Sequence, residues 1–479
     1  MRLLFAAAVL CLLLFLIVLI VNALHLRPAK TAPHAPFGAD VDDETALRRF
    51  GEILRAETVW PRTGAIDYAT FRAFLPLLQS LYPTVFEALE TNTVNEYGVL
   101  LRWKGTDAKA ASVVLMSHYD VVAADACKWS FPPFCGDVAD GEIRGRGAVD
   151  TKCILAALLE SVEYLLRQGF APKRDVWFSF TNNEETGGDT TPAIVRYLHE
   201  QGVQPWFVLD EGGAVVQSPA FSVGQEFAMV GVSEKGVCDT VVEVTGVPGH
   251  SATPKDSDAP ARLIDAIGRI RSAPFRPVLS DTTQTMLRAI AAYTSFGLRV
   301  VFGNLRLFAP LVKLIMRKNA ETNAMLCTTV ALTQLEGSSQ INILPNKAKA
   351  AFSVRIAPWD TVDSALAHIR SAAGEHAEVS AQYSFEPSPV SPVDTDAFRL
   401  LADTVDAVYP GVPTVPYVMN GGTDSKHFCR ICKNVYRFAG FRFTSEERAA
   451  MHGNDERLQT KSYLDGIRFY IRLLLNINA

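Results

Sequence analysis

Apolar residues in this chain fall into three rhythms. At the amino end, Leu3 to Val21 runs without a charged or strongly polar side chain. That is close to the roughly 20 residues needed to cross a bilayer and longer than the about 7 to 15 of a signal-peptide core. Residues 1–24 are predicted to be a transmembrane signal anchor, with a cleaved signal peptide as the second reading, and the Pro/Ala-rich 25–42 to be a tether. Further on, Ala111 to Ser117, Val176 to Phe180 and Trp206 to Leu209 are short apolar runs rich in β-branched and aromatic residues, as buried strands are. Helical periodicity over Cys153 to Arg167 and Pro192 to Gln201 separates them. Strand alternating with helix predicts an α/β fold, a doubly wound, mainly parallel sheet covered by helices.

Each of these strand runs ends in polar residues. The first leads into His118-Tyr119-Asp120, the second into Asn183-Glu184-Glu185, the third into Asp210-Glu211-Gly212. Open sheets gather their ligands beyond the carboxyl ends of the strands, so the topology brings these groups together. With Asp150 and His452 the set offers five good zinc ligands and a spare carboxylate, since zinc takes imidazole nitrogen and carboxylate oxygen. The surplus fits two metals sharing one carboxylate, which in such pairs lie roughly 3.5 to 4 Å apart. Period-two alternation lets Asp120 reach the same side as His118 and orient its ring.

The ordered motifs His118-Tyr119-Asp120, Gly145 to Lys152, Asn183 to Gly187, Asp210-Glu211-Gly212, Gly249-His250-Ser251, Gly421 to Ser425 and Met451-His452-Gly453 resemble the signature of the aminoacylase and carboxypeptidase S metallopeptidases. The likeness runs from about Asp43 to the C-terminus and is nearest to the carboxypeptidase S and N-fatty-acyl amino acid synthase/hydrolase branches. It implies two zinc ions per subunit: Asp150 as the bridge, His118 and Asp210 on one ion, Glu185 and His452 on the other. It further implies Glu184 as general base and proton donor, Asp120 as a partner of His118, and His250 as the residue polarising the scissile carbonyl. Asn342, Arg355, Gly421, Gly422 and Thr423 match positions used around a substrate carboxylate. The implied activity is hydrolysis of the amide bond of small peptides or N-acyl amino acids bearing a free carboxylate. Hydrolysis or synthesis of fatty-acyl amino acids is the alternative main activity. A silent membrane-tethered binding protein and an aminopeptidase of related fold are the readings from outside that chemistry. The catalytic part is expected outside the cytoplasm, anchored or secreted, and a homodimer is an open expectation.

His452 lies far beyond the other metal motifs, so the second domain reads as an insertion. Residues 43–235 and 390–479 form the catalytic domain and 236–389 an α+β, ferredoxin-like lid. Within the lid, strand patterns over Thr240 to Thr245, Ala348 to Ile356 and Glu378 to Phe385 alternate with helical ones over Ala259 to Arg271 and Thr361 to Ala373. A closing helix is expected from Glu456 to Leu475. Phe296 to Met316, apolar with interspersed Arg and Lys, reads first as a buried lid helix; an acyl-binding wall or a membrane-surface segment is the sharper alternative. The 479 residues suffice for a large core, and a net charge of −5 provides no basic footprint for nucleic acid. Among eight cysteines, Cys429-x-x-Cys432 lacks a second pair for a zinc knuckle, and Cys127 with Cys135 can close a disulfide if exported.

Overall fold

The computed structural model describes residues 1–28, 34–61, 63–217, 224–254 and 258–478. Residues 29–33 of the expected tether therefore lie outside the described residues. The chain divides into two compact units, one of residues 28–232, 391–417 and 423–479, the other of 1–27, 233–390 and 418–422.

The larger unit is built on a mixed nine-stranded sheet. At its centre, Val113–His118 pairs in parallel with both Val176–Thr181 and Phe207–Asp210, and Val435–Arg437 pairs in parallel with the latter. The expected strands are present, each a residue or two from its predicted bounds. All three are buried along their whole length, which is why they read as unbroken apolar runs. Alternation divides their side chains between two helix layers. Val113 and Leu115 face a core containing Ile154, Leu158 and Ile467, while Val114 and Met116 face Ile194 and Leu198. Antiparallel strands flank the parallel centre, Gly98–Trp103 on one side and Glu226–Glu234 on the other.

The helix Lys152–Arg167 follows the first strand and packs against the C-terminal helix Thr460–Asn476. The latter was expected to begin at Glu456, but Arg457–Gln459 instead forms a strand against Glu142–Arg144. The cause is the fully buried carboxylate of Glu456, which is hydrogen-bonded to backbone N–H groups of Val149 and Asp150 and so is drawn away from a helical course.

In the smaller unit an antiparallel four-stranded sheet runs in the order Thr329–Glu336, Lys347–Ile356, Gly236–Thr245, Ala377–Phe385. Helices Ala259–Ser272 and Val362–Ala373 supply its apolar layer through Leu263, Ile267, Leu366 and Ile369. The order β-α-β-β-α-β is the ferredoxin-like arrangement. Asp258 starts the first of these helices by accepting from the Ala261 N–H, with Pro260 in the first turn.

Between that helix and the edge strand lie four further helices. Phe296–Met316 is not the single buried helix expected. It forms Phe296–Gly303 and Leu305–Met316, broken at Asn304, and it leaves Leu307, Leu311, Leu314 and Ile315 exposed. The N-terminal helix Arg2–His25 belongs to the same unit; it is exposed except near its end, where Ala23 is buried. By length and composition it is able to cross a membrane. All eight cysteines are free thiols, Cys127 and Cys135 included.

Candidate metal centre

His118 closes the first parallel strand, level with Thr181, and Asp210 closes the third. The Glu184–Thr186 turn follows Thr181, so its carboxylates stand beyond the same sheet edge. His118 and Asp120 are buried, and the His118 ring is fixed by its Nδ1, 2.9 Å from the Asp120 backbone oxygen. The Asp120 carboxylate also reaches the Glu-Glu turn: Oδ1 lies 3.5 Å from His118 Nδ1, and Oδ1 and Oδ2 accept from the N–H groups of Glu184 and Glu185, each at 3.1 Å. One residue thus positions both the imidazole and the Glu-Glu turn.

Asp150 stands at the centre of the cluster. Its Oδ1 lies 3.0 Å from His118 Nε2, and its Oδ2 lies 3.0 Å from His452 Nε2. Each imidazole has a further carboxylate beside it, Glu211 Oε1 at 3.4 Å from His118 Nε2 and Glu185 Oε2 at 3.1 Å from His452 Nε2. The peptide bond between Asp150 and Thr151 is cis. His452 adopts a left-handed backbone with φ of 56° and approaches from the exposed side of the cluster.

Asp210, expected as a ligand, closes its strand with its carboxylate on backbone donors. Its Oδ2 accepts from Ser425 N–H and its Oδ1 from Glu211 N–H, both at 2.9 Å. Consecutive residues at a strand end point to opposite sides, and it is Glu211 that turns towards His118. In the neighbouring Glu184–Thr186 turn, Glu185 meets His452. Glu184 joins His118 and Glu211 in a group whose donor atoms lie within 4.8 Å of one another; His118, Asp150 and Glu185 form a second such group.

Glu456 carried no motif signal, yet it holds the Asp150 loop. Its Oε1 accepts from Val149 N–H (2.8 Å) and Asp150 N–H (3.0 Å), and its Oε2 from Gly147 N–H (3.1 Å) and Arg146 Nη1 (2.6 Å). Arg146 Nη2 also donates to the Gly453 oxygen at 2.6 Å, tying the loop of Asp150 to the turn of His452.

Burial and mutual repulsion hold Glu184, Glu185 and Glu211 above the ordinary carboxylate range. Burial opposes a charge on His118, but Asp120, Asp150 and Glu211 outweigh it and raise its pKa well above the ordinary imidazole value. His452 is pushed up to about 10 by its contacts with Asp150 and Glu185. Burial raises Glu184 and Glu185, and burial followed by repulsion from Asp150 takes Glu211 to about 8. Asp150 moves the other way, because its two imidazole partners override its burial. Glu185 Oε1 is buried with no hydrogen-bond partner among the described residues. Imidazole and carboxylate donors, crowded anions and an orphaned acceptor fit divalent cations.

The other expected site residues lie in the smaller unit, apart from Thr423, whose Oγ1 accepts from Ser425 N–H in the larger one. His250 and Asn342 come together where Gly249–His250 pairs with Ile343–Leu344 and Ser251 N–H donates to the Asn342 oxygen. His250 is exposed, and its Nδ1 accepts from Ala252 N–H at 3.0 Å, so the neutral ring carries its hydrogen on Nε2. Arg355 is exposed on the strand Lys347–Ile356, opposite Val237 and Thr329. Gly421 and Gly422 also lie in that unit.

A mixed α/β sheet that gathers imidazoles and carboxylates beyond its parallel strands, around one central aspartate, defines the class of metal-dependent hydrolases. Residues 114–476 match the profile of Peptidase family M20/M25/M40, and the chain belongs to that family and is an enzyme. It is 32% identical over 412 residues to a probable carboxypeptidase S-like 2 of Dictyostelium discoideum, covering 85% of this chain and 79% of that one. It is 31% identical over 457 residues to the N-fatty-acyl-amino acid synthase/hydrolase PM20D1 of Xenopus tropicalis, covering 94% and 85%. Among solved structures, a family M20 metallo-carboxypeptidase from Sulfolobus solfataricus shares the fold with a TM-score of 0.65 at 17% identity, covering 90% of this chain and 99% of that one. Human carnosine dipeptidase 1 does so with 0.64 at 14%, covering 91% and 97%.

Proposed function

We propose that this enzyme is a two-zinc hydrolase that cleaves the amide bond of small peptides or N-acyl amino acids ending in a free carboxylate. The observation that carries this reading is the division of Asp150, with one oxygen towards His118 and Glu211 and the other towards His452 and Glu185. These five residues are the assigned ligands, Glu211 taking the place first given to Asp210. Zinc held there supplies Lewis acidity to the scissile carbonyl and lowers the pKa of the attacking water. Glu184, buried beside the cluster with a raised pKa, accepts the proton of that water and returns it to the departing nitrogen. Asp120 keeps Glu184 in place through its backbone N–H. His250 is assigned to the carbonyl oxygen, which needs a donor such as its Nε2–H. Asn342, Arg355, Gly421, Gly422 and Thr423 are assigned to the substrate carboxylate, where a guanidinium fork and backbone donors suit an anion.

A second reading, an N-fatty-acyl amino acid as the main substrate, draws support from the relatives of that name. The exposed apolar helix Arg2–His25 supports a membrane anchor; the family resemblance is the ground for placing the catalytic part outside the cytoplasm. Zinc-loaded full-length enzyme, assayed on a benzyloxycarbonyl dipeptide and an oleoyl amino acid, separates these possibilities. We expect release of the C-terminal amino acid from the blocked dipeptide. In Glu184→Gln, kcat should fall by about 100- to 10,000-fold with the metal content unchanged. Preference for the oleoyl substrate selects the second reading. Turnover that requires a free substrate amine, or none on either substrate, refutes both.

A further inference from the structure

The helix Leu305–Met316 has three faces. At about 100° per residue, Leu305, Val312 and Met316 share one side and are buried. Arg306, Lys313 and Arg317 share a second. Leu307, Leu311, Leu314 and Ile315 share the third, with exposures of 50, 44, 59 and 49%. No acidic residue occurs between Asp281 and Glu321, whereas Arg288, Arg299, Arg306, Lys313, Arg317 and Lys318 all fall there. An exposed leucine face flanked by cations has the pattern of a helix lying in a membrane interface.

The N-terminal helix of the same unit indicates where that interface lies. Its last turns pack on Phe296–Gly303. Asn22 Nδ2 donates to Asn304 Oδ1 at 2.7 Å, and Asn304 Nδ2 donates to the Leu19 oxygen at 3.1 Å. The backbones come so close that a Cβ on Gly303 would meet the Asn22 carbonyl at 3.2 Å. Contact therefore begins at Leu19, leaving Arg2 to Val18 free, about 26 Å of helix at about 1.5 Å per residue. A hydrocarbon core is about 30 Å thick. An anchor with so short a free length brings its contact turn, and Phe296–Gly303 with it, down to the bilayer boundary.

We propose that Phe296–Met316 is a membrane-seated collar around the base of the anchor helix. Leu307, Leu311, Leu314 and Ile315 enter the boundary of acyl chains and headgroups, while Arg306, Lys313 and Arg317 reach anionic phospholipid headgroups. The collar rests on the anchor reading above, and the two are separable by experiment. Full-length protein is reconstituted into phosphatidylcholine/phosphatidylglycerol vesicles made with acyl-brominated lipid. Tryptophan reporters are placed in turn by Leu10→Trp in the anchor and Leu311→Trp in the collar, both exposed positions. The expected result is that the emission each reporter adds to the wild-type signal is lost to bromine quenching. The collar reporter should also recover part of its emission when Lys313→Glu and Arg317→Glu are introduced. Quenching of Leu10→Trp alone overturns the collar and leaves the anchor standing. Quenching of neither overturns the anchor and the collar with it.

Discussion

At the residue scale, neighbours in sequence have divided their work by pointing apart. Asp210 holds the backbone of Glu211 and Ser425, while Glu211 faces His118. Two substitutions separate these roles. Glu211→Gln should lower zinc affinity by more than the about 10- to 100-fold that follows loss of an outer partner, with little change in the Tm of the metal-free protein. Asp210→Asn puts an NH2 group in place of one acceptor oxygen facing a backbone N–H and so loses a buried charge-assisted hydrogen bond; its Tm should fall while bound zinc is better retained. Metal content after dialysis, read beside thermal unfolding, decides the matter; the reverse pattern returns Asp210 to the ligand set. Most of the cluster was legible as motifs, because metal chemistry restricts residue type and the strand ends restrict place. That Glu211 stands beside His118 was not legible, since it depends on where one strand stops. Glu456 was invisible for another reason: apart from the distant Arg146, its carboxylate serves backbone N–H groups, and those leave no mark on neighbouring residue types.

At the element scale, the central strands and their covering helices were legible because each is buried as a unit. Val113–His118 is apolar on both faces and has no room for an ambiguous pattern. Elements set by tertiary contacts escaped. Arg457–Gln459 looks helical in isolation, but the buried Glu456 next to it fixes an extended course and the helix begins at Thr460. The edge strand Thr329–Glu336 is half-buried at its start and exposed beyond, so it lacks the apolar alternation that would have marked it. The break falls at Gly303-Asn304, where Asn304 also bonds to Leu19 and Asn22, residues nearly three hundred positions away. A local periodicity cannot contain that information. The same break lets two short helices, rather than one long one, form the collar.

At the scale of the whole molecule, the metal centre couples folding to pH. Glu211 and His452 have raised pKa values, about 8 and about 10, so without metal these two groups bind more protons in the folded state than in the unfolded chain. Their contribution is fully present below the unfolded values, near 4.3 for Glu and 6.5 for His. The Glu211 share is lost as pH rises to about 8 and the His452 share as it rises to about 10. Chelator-treated protein should accordingly show Tm falling as pH rises from about 5 to about 7, above which the buried Lys152, lowered to about 7, opposes the trend. Added zinc should flatten that slope and release protons on binding, since the ligands must give theirs up. A metal-free Tm that rises over this range would contradict the charge balance described for the cluster. The most direct test is anomalous diffraction from zinc-loaded crystals at the zinc edge. The account predicts two peaks flanking Asp150, one held by His118 and Glu211 and the other by Glu185 and His452. A single peak, or one coordinated by the Asp210 carboxylate in place of Glu211, would contradict it.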